Sequence, residues 1–434
     1  MVQRWWLVGL LCAAACATPK TEEDSNAGVT TTAPPMGAAE CKERIKAPDP
    51  FDLGIAERVD PHEEVYGAAE PDPYHVHLSY PSTDTSTSIA VLWRTDVDTL
   101  ATVMEYGEGE ALDQRIESSS YRFGGSDNAS FRVHEVKLCG RLKPNTTYSY
   151  RVGGEGHWSK VYRYTTPPDP GPLAEGETFK VAFAGDSRGA YEQWGLMLAK
   201  MNDRDPDLFV FSGDMVDLGN NQDEWDGWFE AAGDVLAERV LVPAHGNHEF
   251  LASNYFALFS LPNNEEWFQI RYRNLHLVSL NDTVRDQAFI EENQVTYLDD
   301  AYSSVPDASW RLLMHHKTMY GACTTHGSNE GVRDLWAPIL DKHEVDLVVA
   351  GHNHTYERSV PIRNGEKVDR GEGTLYVVSG GAGAPLYTGV EDTWFNKVSN
   401  PTYHYIIGTF SETEASFKVY DMSENVIDRF TIPR

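Results

Sequence analysis

The sequence predicts an α/β body preceded by a small all-β sandwich. Three observations carry this. From about Tyr74 to Thr166, strand-like segments recur at roughly 10-residue intervals between polar turns, the pattern of an antiparallel sandwich. The run Pro167-Pro168-Asp-Pro170-Gly-Pro172 then punctuates the chain. From Phe179 onward, buried-strand candidates alternate with helix-like stretches, which calls for sheets whose faces helices cover. The expected organisation is an export signal over 1–16, a flexible tether and lead-in over 17–70, the β module over 71–168 and the α/β body over 175–434.

The first residues read as an address. Met1-Val-Gln-Arg and an apolar run from Trp5 to Ala15 have the shape of a secretory signal, too short to span a membrane. Ala13-Ala-Ala-Cys16 resembles the lipobox of bacterial lipoproteins, with alanine where leucine is usual. Ordinary cleavage after Ala17 is the alternative. The expected location is therefore outside the cytoplasm, as a lipoprotein of the outer membrane, periplasm or cell surface. Thr18 to about Pro48 holds almost no large apolar residue and reads as a tether. In an oxidising compartment, Cys41–Cys139 is the expected disulfide, although sequence alone does not fix connectivity.

Within the β module, Ile89, Val91 and Trp93 alternate with Ala90, Leu92 and Arg94, Phe131–Leu138 is strand-like, and Tyr148–Val152 follows a Lys-Pro-Asn-Thr-Thr turn. In the body, strands are expected at Phe179–Ala184, Leu208–Phe211, Val240–Val242, His276–Ser279, Trp310–Met314, Val345–Val349 and Thr374–Val378. Helices are expected at Tyr191–Met201, Gln222–Leu236 and Val332–Lys342. Two C-terminal strands, Tyr403–Phe410 and Ala415–Tyr420, read as structural.

Composition excludes several functions. The formal charge of −30 argues against holding a nucleic-acid backbone. No apolar run reaches the 18 or more residues of a membrane span, so membrane contact is expected only through the N-terminal lipid. Five cysteines are too few for a disulfide-stapled scaffold or a zinc-finger array.

The informative residues sit where strands end. They are Gly-Asp186, Gly-Asp214-Met-Val-Asp217, Gly-Asn247-His248-Glu249, His315-His316 and Gly351-His352-Asn-His354. Strand ends on one edge of an α/β sheet are where ligands bind, so these five groups are expected to converge. Carboxylates, an amide oxygen and imidazoles without thiolate suit zinc, iron or manganese. Asp186, Asp214, Asn247, His315, His352 and His354 are too many for one ion and fill two sites if one carboxylate bridges. Two metals about 3.5–4 Å apart clamp the oxygens of an in-line displacement and turn bound water into a hydroxide nucleophile near neutral pH. The glycine before each aspartate, and before Asn247 and His352, is expected to turn the backbone off the strand.

This ordered series resembles a calcineurin-like metallophosphoesterase. The ending Gly351-His-Asn-His-Thr-Tyr-Glu-Arg358 resembles the purple acid phosphatase branch in particular. The run Leu142-Lys-Pro-Asn-Thr-Thr-Tyr-Ser-Tyr-Arg-Val152 is similar to the end of a fibronectin type III or purple acid phosphatase N-terminal domain, where a leucine and a tyrosine lock a corner. The resemblance implies a body of mixed sheets flanked by helices, in which Asp214 bridges two metal ions (iron, zinc or manganese). Asp186 and His354 complete the first site; Asn247, His315 and His352 complete the second. His316 is expected behind the ligands. His248 is implied as general acid or phosphoryl contact, Asp217 as its orienter, and His326 as a substrate contact.

Two positions depart from that pattern. Purple acid phosphatases carry a colour-giving tyrosinate where Asp217 stands. Other members carry a histidine where Arg188 stands. Either a water or phosphate oxygen fills the first site or Asp217 coordinates; Arg188 pairs with the substrate phosphate, pairs with an aspartate or faces solvent. The function expected is hydrolysis of small phosphomonoesters by an exported dimetal enzyme. The alternatives are a phosphodiesterase or nucleotidase of the same fold, and a non-catalytic surface lipoprotein.

Overall fold

The computed structural model describes Cys41 and residues 55–62, 65–124, 130–306 and 309–434. The expected signal, the Cys16 lipidation site and most of the tether lie outside the described residues. One part of the lead-in is not a tether. Ile55–Val59 forms a strand and pairs antiparallel with Ser120–Gly124. Cys41 is joined to Cys139, with Cα atoms 5.4 Å apart, and Cys323 is a buried free thiol.

The β module is a two-sheet sandwich. One sheet runs in the order Ile55–Val59, Ser120–Gly124, Ser130–Leu138, Ile89–Thr95, Tyr74–Ser79. The other runs Gln114–Glu117, Val103–Glu108, Thr147–Gly153, Tyr162–Thr165. Leu78, Ile89 and Val91 of the first meet Met104, Tyr148 and Tyr150 of the second. The alternation at Ile89–Thr95 suggests one wet face, yet every residue of that strand is buried. Its outer side is covered by the body. Arg94 reaches Asp226 at 2.5 Å, and its guanidinium lies over the rings of Tyr74 and Phe131. At the expected corner, the Lys143 N–H donates to the Tyr148 hydroxyl (2.9 Å) beside buried Leu142.

The body has two facing mixed sheets. The first runs Leu241–Pro243, Leu208–Phe211, Phe179–Ala184, His404–Phe410, Glu414–Asp421, Val426–Pro433. The second runs Phe268–Tyr272, Leu275–Ser279, Trp310–Lys317, Leu347–Gly351, Leu375–Ser379, Tyr356–Ser359, Asn396–Asn400. Leu312, Met314, Leu347, Val349, Leu375 and Val377 turn one face of the second sheet toward the first. Leu313, Val348 and Tyr376 turn the other toward the helices Gln287–Ser303 and Glu330–Lys342. Tyr191–Asn202 and Gln222–Ala232 pack on the first sheet, with Trp194 and Trp228 stacked at 5.2 Å.

Three differences from expectation have local causes. The helix expected over Gln222–Leu236 stops at Ala232, because Gly233 adopts φ +56, and a short turn Val235–Glu238 follows. The 17-residue helix Gln287–Ser303 has no clean apolar stripe, since its inner face includes buried Gln294. That side chain is satisfied at both ends by the Asn281 backbone, donating to its carbonyl and accepting from its N–H. The site-bearing strand ends belong to two sheets and not to one. Parallel strands of both sheets finish at the same edge, so the expected convergence survives the change.

The corner is testable on its own. Tyr148→Phe removes one partly buried hydrogen bond and keeps the ring, so it should destabilise the protein by about 1 kcal/mol. Urea unfolding followed by tryptophan fluorescence would read this, and an unchanged midpoint would show the corner to be idle.

Candidate metal centre

Five loops leave the strand ends and meet. At the heart of the meeting, Asp186, Asp214 and His352 all take left-handed backbone, with φ of +62°, +54° and +68°. Aspartate and histidine are among the non-glycine residues that tolerate this region, at a cost of order 1 kcal/mol each. The glycine before each was expected to make the turn. Only Gly213 does so, with φ +90. Gly246 and Gly351 make room instead. A Cβ on Gly246 would lie 2.2 Å from the Asp214 nitrogen, and one on Gly351 would lie 2.3 Å from Asp186 Oδ2.

Hydrogen bonds lock the loops to one another. The Asp186 carboxylate accepts the His352 N–H at 3.0 Å, and Asp214 Oδ1 accepts the His248 N–H at 2.9 Å. Buried Glu249 accepts from the N–H groups of Asp214 (2.9 Å), Met215 (2.8 Å) and Gly246 (2.7 Å). Buried Asp282 receives the His316 and Lys317 N–H groups. The glycine-rich turn after Ser379 lines the site, since Ala382 and Ala384 donate to the carbonyls of Gly185 and Asp186.

Two groups of ligand atoms result, and they share a carboxylate. Asp214, His316 and His352 present atoms within 4.8 Å of one another, and so do Asp186, Asp214 and His354. Asn247 Oδ1 lies 3.1 Å from His316 Nε2. Both groups fit a metal. His316 Nδ1 lies 2.8 Å from the Ser212 carbonyl and His354 Nδ1 lies 2.8 Å from the Pro385 carbonyl, which turns each Nε2 toward the carboxylates. Charge points the same way. Burial opposes ionisation of His316, yet Asp214 and Asp186 beside it push it up to about 10. Burial, with His316 adjacent, pushes His352 down to about 2, and burial pushes His354 down to about 4, so both are neutral as ligation requires. Burial pushes the Asp186 carboxyl well up; at Asp214 burial is outweighed by His316 and the carboxyl falls well below its ordinary range. A bound cation would take over the charge balance that a proton on His316 otherwise provides.

The structure brings His316, and not the expected His315, to the groups of ligand atoms. His315 is fully buried with Nδ1 2.9 Å from Asp282, and its ring meets Trp336 edge-on. It follows Leu313 on the helix-facing side of the strand, whereas His316 follows Leu312 and Met314 on the side facing the other sheet. A bulge between Met314 and Lys317 completes the turn of His316 into the site.

The remaining candidates form the rim. His248 Nδ1 lies 2.7 Å from the backbone carbonyl of Asp217, and its Nε2 lies 3.9 Å from Asp214 Oδ2. Asp217 thus orients His248 through its main chain. Its carboxylate belongs to neither ligand group and accepts from Arg188 Nη1 at 2.7 Å. Arg188 Nε, buried, lies 3.8 Å from Asp214 Oδ2 and has no hydrogen-bond partner. His326 is exposed, with its ring 4.1 Å from that of His352. Tyr387, absent from the expected set, stacks on His354 at 4.2 Å. Tyr356 and Arg358 both bond Asp428, while Glu357 holds the N–H groups of Ala322 and Cys323, so this trio braces loops. Asp282 carried the signal shared by the other carboxylates, since it closely follows a strand. Tyr387 carried none.

Comparisons with known proteins agree with this geometry. Residues 179–356 match the calcineurin-like phosphoesterase family, and residues 73–166 match the purple acid phosphatase N-terminal domain. The chain is similar to purple acid phosphatase 21 of Arabidopsis thaliana, 28% identical over 330 residues covering 72% of this chain and 71% of the relative. It is also similar to a phosphoenolpyruvate phosphatase of Allium cepa, 24% identical over 67% of this chain and 64% of the relative. A solved purple acid phosphatase from yellow lupin (Lupinus luteus) seeds shares the fold, with a TM-score of 0.72 and 19% identity over 84% of this chain and 75% of that one. The chain is therefore a metal-dependent phosphoesterase with a dinuclear centre, built as a calcineurin-like phosphoesterase domain behind a purple acid phosphatase N-terminal domain.

Proposed function

We propose that the protein is an exported phosphatase that hydrolyses small phosphomonoesters. The observation that carries this reading is the pair of ligand groups sharing Asp214, with His248 and Arg188 at their mouth. Asp186, Asp214 and His354 would hold one ion; Asp214, Asn247, His316 and His352 would hold the other. Iron, zinc or manganese bound there supplies Lewis-acid polarisation of a phosphoryl oxygen and a nucleophile at neutral pH.

The rest falls to the chain's own side chains. His248, with its Nδ1–H donated to the Asp217 carbonyl, gives the Nε2 proton of its imidazolium form to the departing ester oxygen and is left as the neutral ring. Arg188 and His326 face the phosphoryl oxygens. Asp217 keeps Arg188 in place and stands where a tyrosinate would give colour, which favours a centre without that band. The relatives' names favour a monoester substrate. Export is supported by the signal-like start and by the Cys41–Cys139 disulfide, since such bonds persist in oxidising compartments. Ala13-Ala-Ala-Cys16 supports a lipid anchor there.

The reading is tested by elemental analysis beside a p-nitrophenyl phosphate assay on protein starting at Thr18. About two metals per chain are expected, with turnover lost in Asp214→Ala. Full metal with turnover of bis(p-nitrophenyl) phosphate alone would replace the monoesterase by a diesterase. No stable metal under added iron, zinc or manganese would replace both by a binding lipoprotein.

The ligand set has its own test. His316→Ala should leave about one metal per chain even with metal in excess, whereas His315→Ala should keep two while weakening affinity by about 10–100-fold, the usual cost of an outer-shell change. The opposite result would return His315 to the ligand set.

A further inference from the structure

Tyr387 lies beside His326, His354 and Arg188, although it sits on a loop with no motif of its own. Its backbone N–H donates to the His354 carbonyl at 3.0 Å, and its ring lies nearly parallel to that of His354, 11° apart at 4.2 Å. The loop that carries it is laid along the His326 loop by Thr324 N–H to Gly389 O (3.1 Å) and Glu391 N–H to Ala322 O (2.8 Å). The phenol lies close enough to the Arg188 guanidinium to feel its positive charge. Its oxygen lies 3.4 Å from His326 Nε2, at the long limit of a hydrogen bond. The hydroxyl is thus only weakly committed. Arg188 contributes a second uncommitted donor, the buried Nε–H beside Asp214.

We infer that Tyr387 and Arg188 together form a grip for the non-bridging oxygens of a phosphate dianion, and that this grip selects monoesters over diesters. The inference rests on the phosphatase reading above. A monoester brings three non-bridging oxygens and two negative charges to the site. A diester brings two such oxygens, one charge and a second organic group. The arc Arg188–Tyr387–His326 offers donors and a guanidinium to the third oxygen. Arg188 and Asp214 stand on one side of the arc and His326 on the other, with Tyr387 spanning them. Tyr387 is therefore a substrate-binding residue in this chain.

Tyr387→Phe keeps the stack on His354 and removes only the hydroxyl, and metal content near two per chain verifies that the centre is intact. Calorimetric titration of inorganic phosphate into the metal-loaded protein should show affinity about tenfold weaker in the variant, and kcat/KM for p-nitrophenyl phosphate should fall by a similar factor while bis(p-nitrophenyl) phosphate changes less than about twofold. Tyr387→His, which keeps a ring and a donor, should recover part of the phosphate affinity. Unchanged phosphate affinity with an unchanged monoester-to-diester ratio would overturn the grip. An equal loss on both esters would make Tyr387 a support for His354 and overturn it too. A wild-type protein that binds metal but turns over neither ester fails the phosphatase reading itself, which is a separate result.

Discussion

Asp214 is buried, negatively charged and common to both groups of ligand atoms, and the loops around it are built to tolerate that. A carboxylate out of water costs several kcal/mol unless it is paired. Here Asp186 adds a second buried carboxylate to the same cluster, which makes the cost larger. The protein offsets it with N–H donors and imidazoles, and it accepts strained backbone at Asp186, Asp214 and His352 to aim them. Glu249 holds the Asp214 and Asn247 loops together through three N–H groups, a duty that keeps a further carboxylate out of solvent. Such a concentration of buried negative charge is costly in an empty fold and reasonable around cations.

Much of this was legible in the sequence, for a physical reason. Carboxylates, amides and imidazoles placed just after short apolar runs announce strand ends, and strand ends of parallel sheets gather at one edge. Asp186, Asp214, Asn247, His352 and His354 all followed that logic. His315 and His316 did not, because two adjacent histidines on a strand point to opposite faces and the run gives no direction. The faces were written in Leu312, Leu313 and Met314, but assigning them requires knowing that a second sheet lies on one side. The helix Gln287–Ser303 was hidden for a related reason. Its inner face spends a position on Gln294, whose value lies in satisfying the Asn281 backbone and not in apolar burial. Tyr387 was invisible because its role comes from a loop laid across the site, with no local spacing to mark it.

The departures at Asp217 and Arg188 make sense as one change. An aspartate in place of a phenol adds negative charge to the rim of a site that must admit a phosphate. Arg188 answers it at 2.7 Å, and the pair leaves the rest of the guanidinium facing Asp214 and Tyr387. Arg188 thus offsets at the rim the charge that Asp217 adds, in a chain that as a whole carries −30. Attraction at this range is set by groups within a few ångströms, since more distant surface charge is screened over about 8–10 Å at ordinary ionic strength.

Among the described residues the sandwich supplies none to the centre, yet it bears on how the centre is held. Between His248 and Phe268 the body has no strand, only loops and the short helix Ser253–Leu258. Sandwich side chains grip that stretch by its carbonyls. The Tyr121 hydroxyl donates to Ala257 O at 2.6 Å, and His77 Nε2 lies 2.6 Å from Leu258 O. From the other end, His245 accepts the Leu251 N–H at 2.9 Å and reaches Thr283. The loop that presents Asn247, His248 and Glu249 is thus pinned between strand 241–243 and the β module. Without the module, the helix at 253–258 would lose the cover over its buried aromatic faces, and the loop would lose its far anchor. A β module empty of chemistry is in this way part of what keeps His248 at the rim.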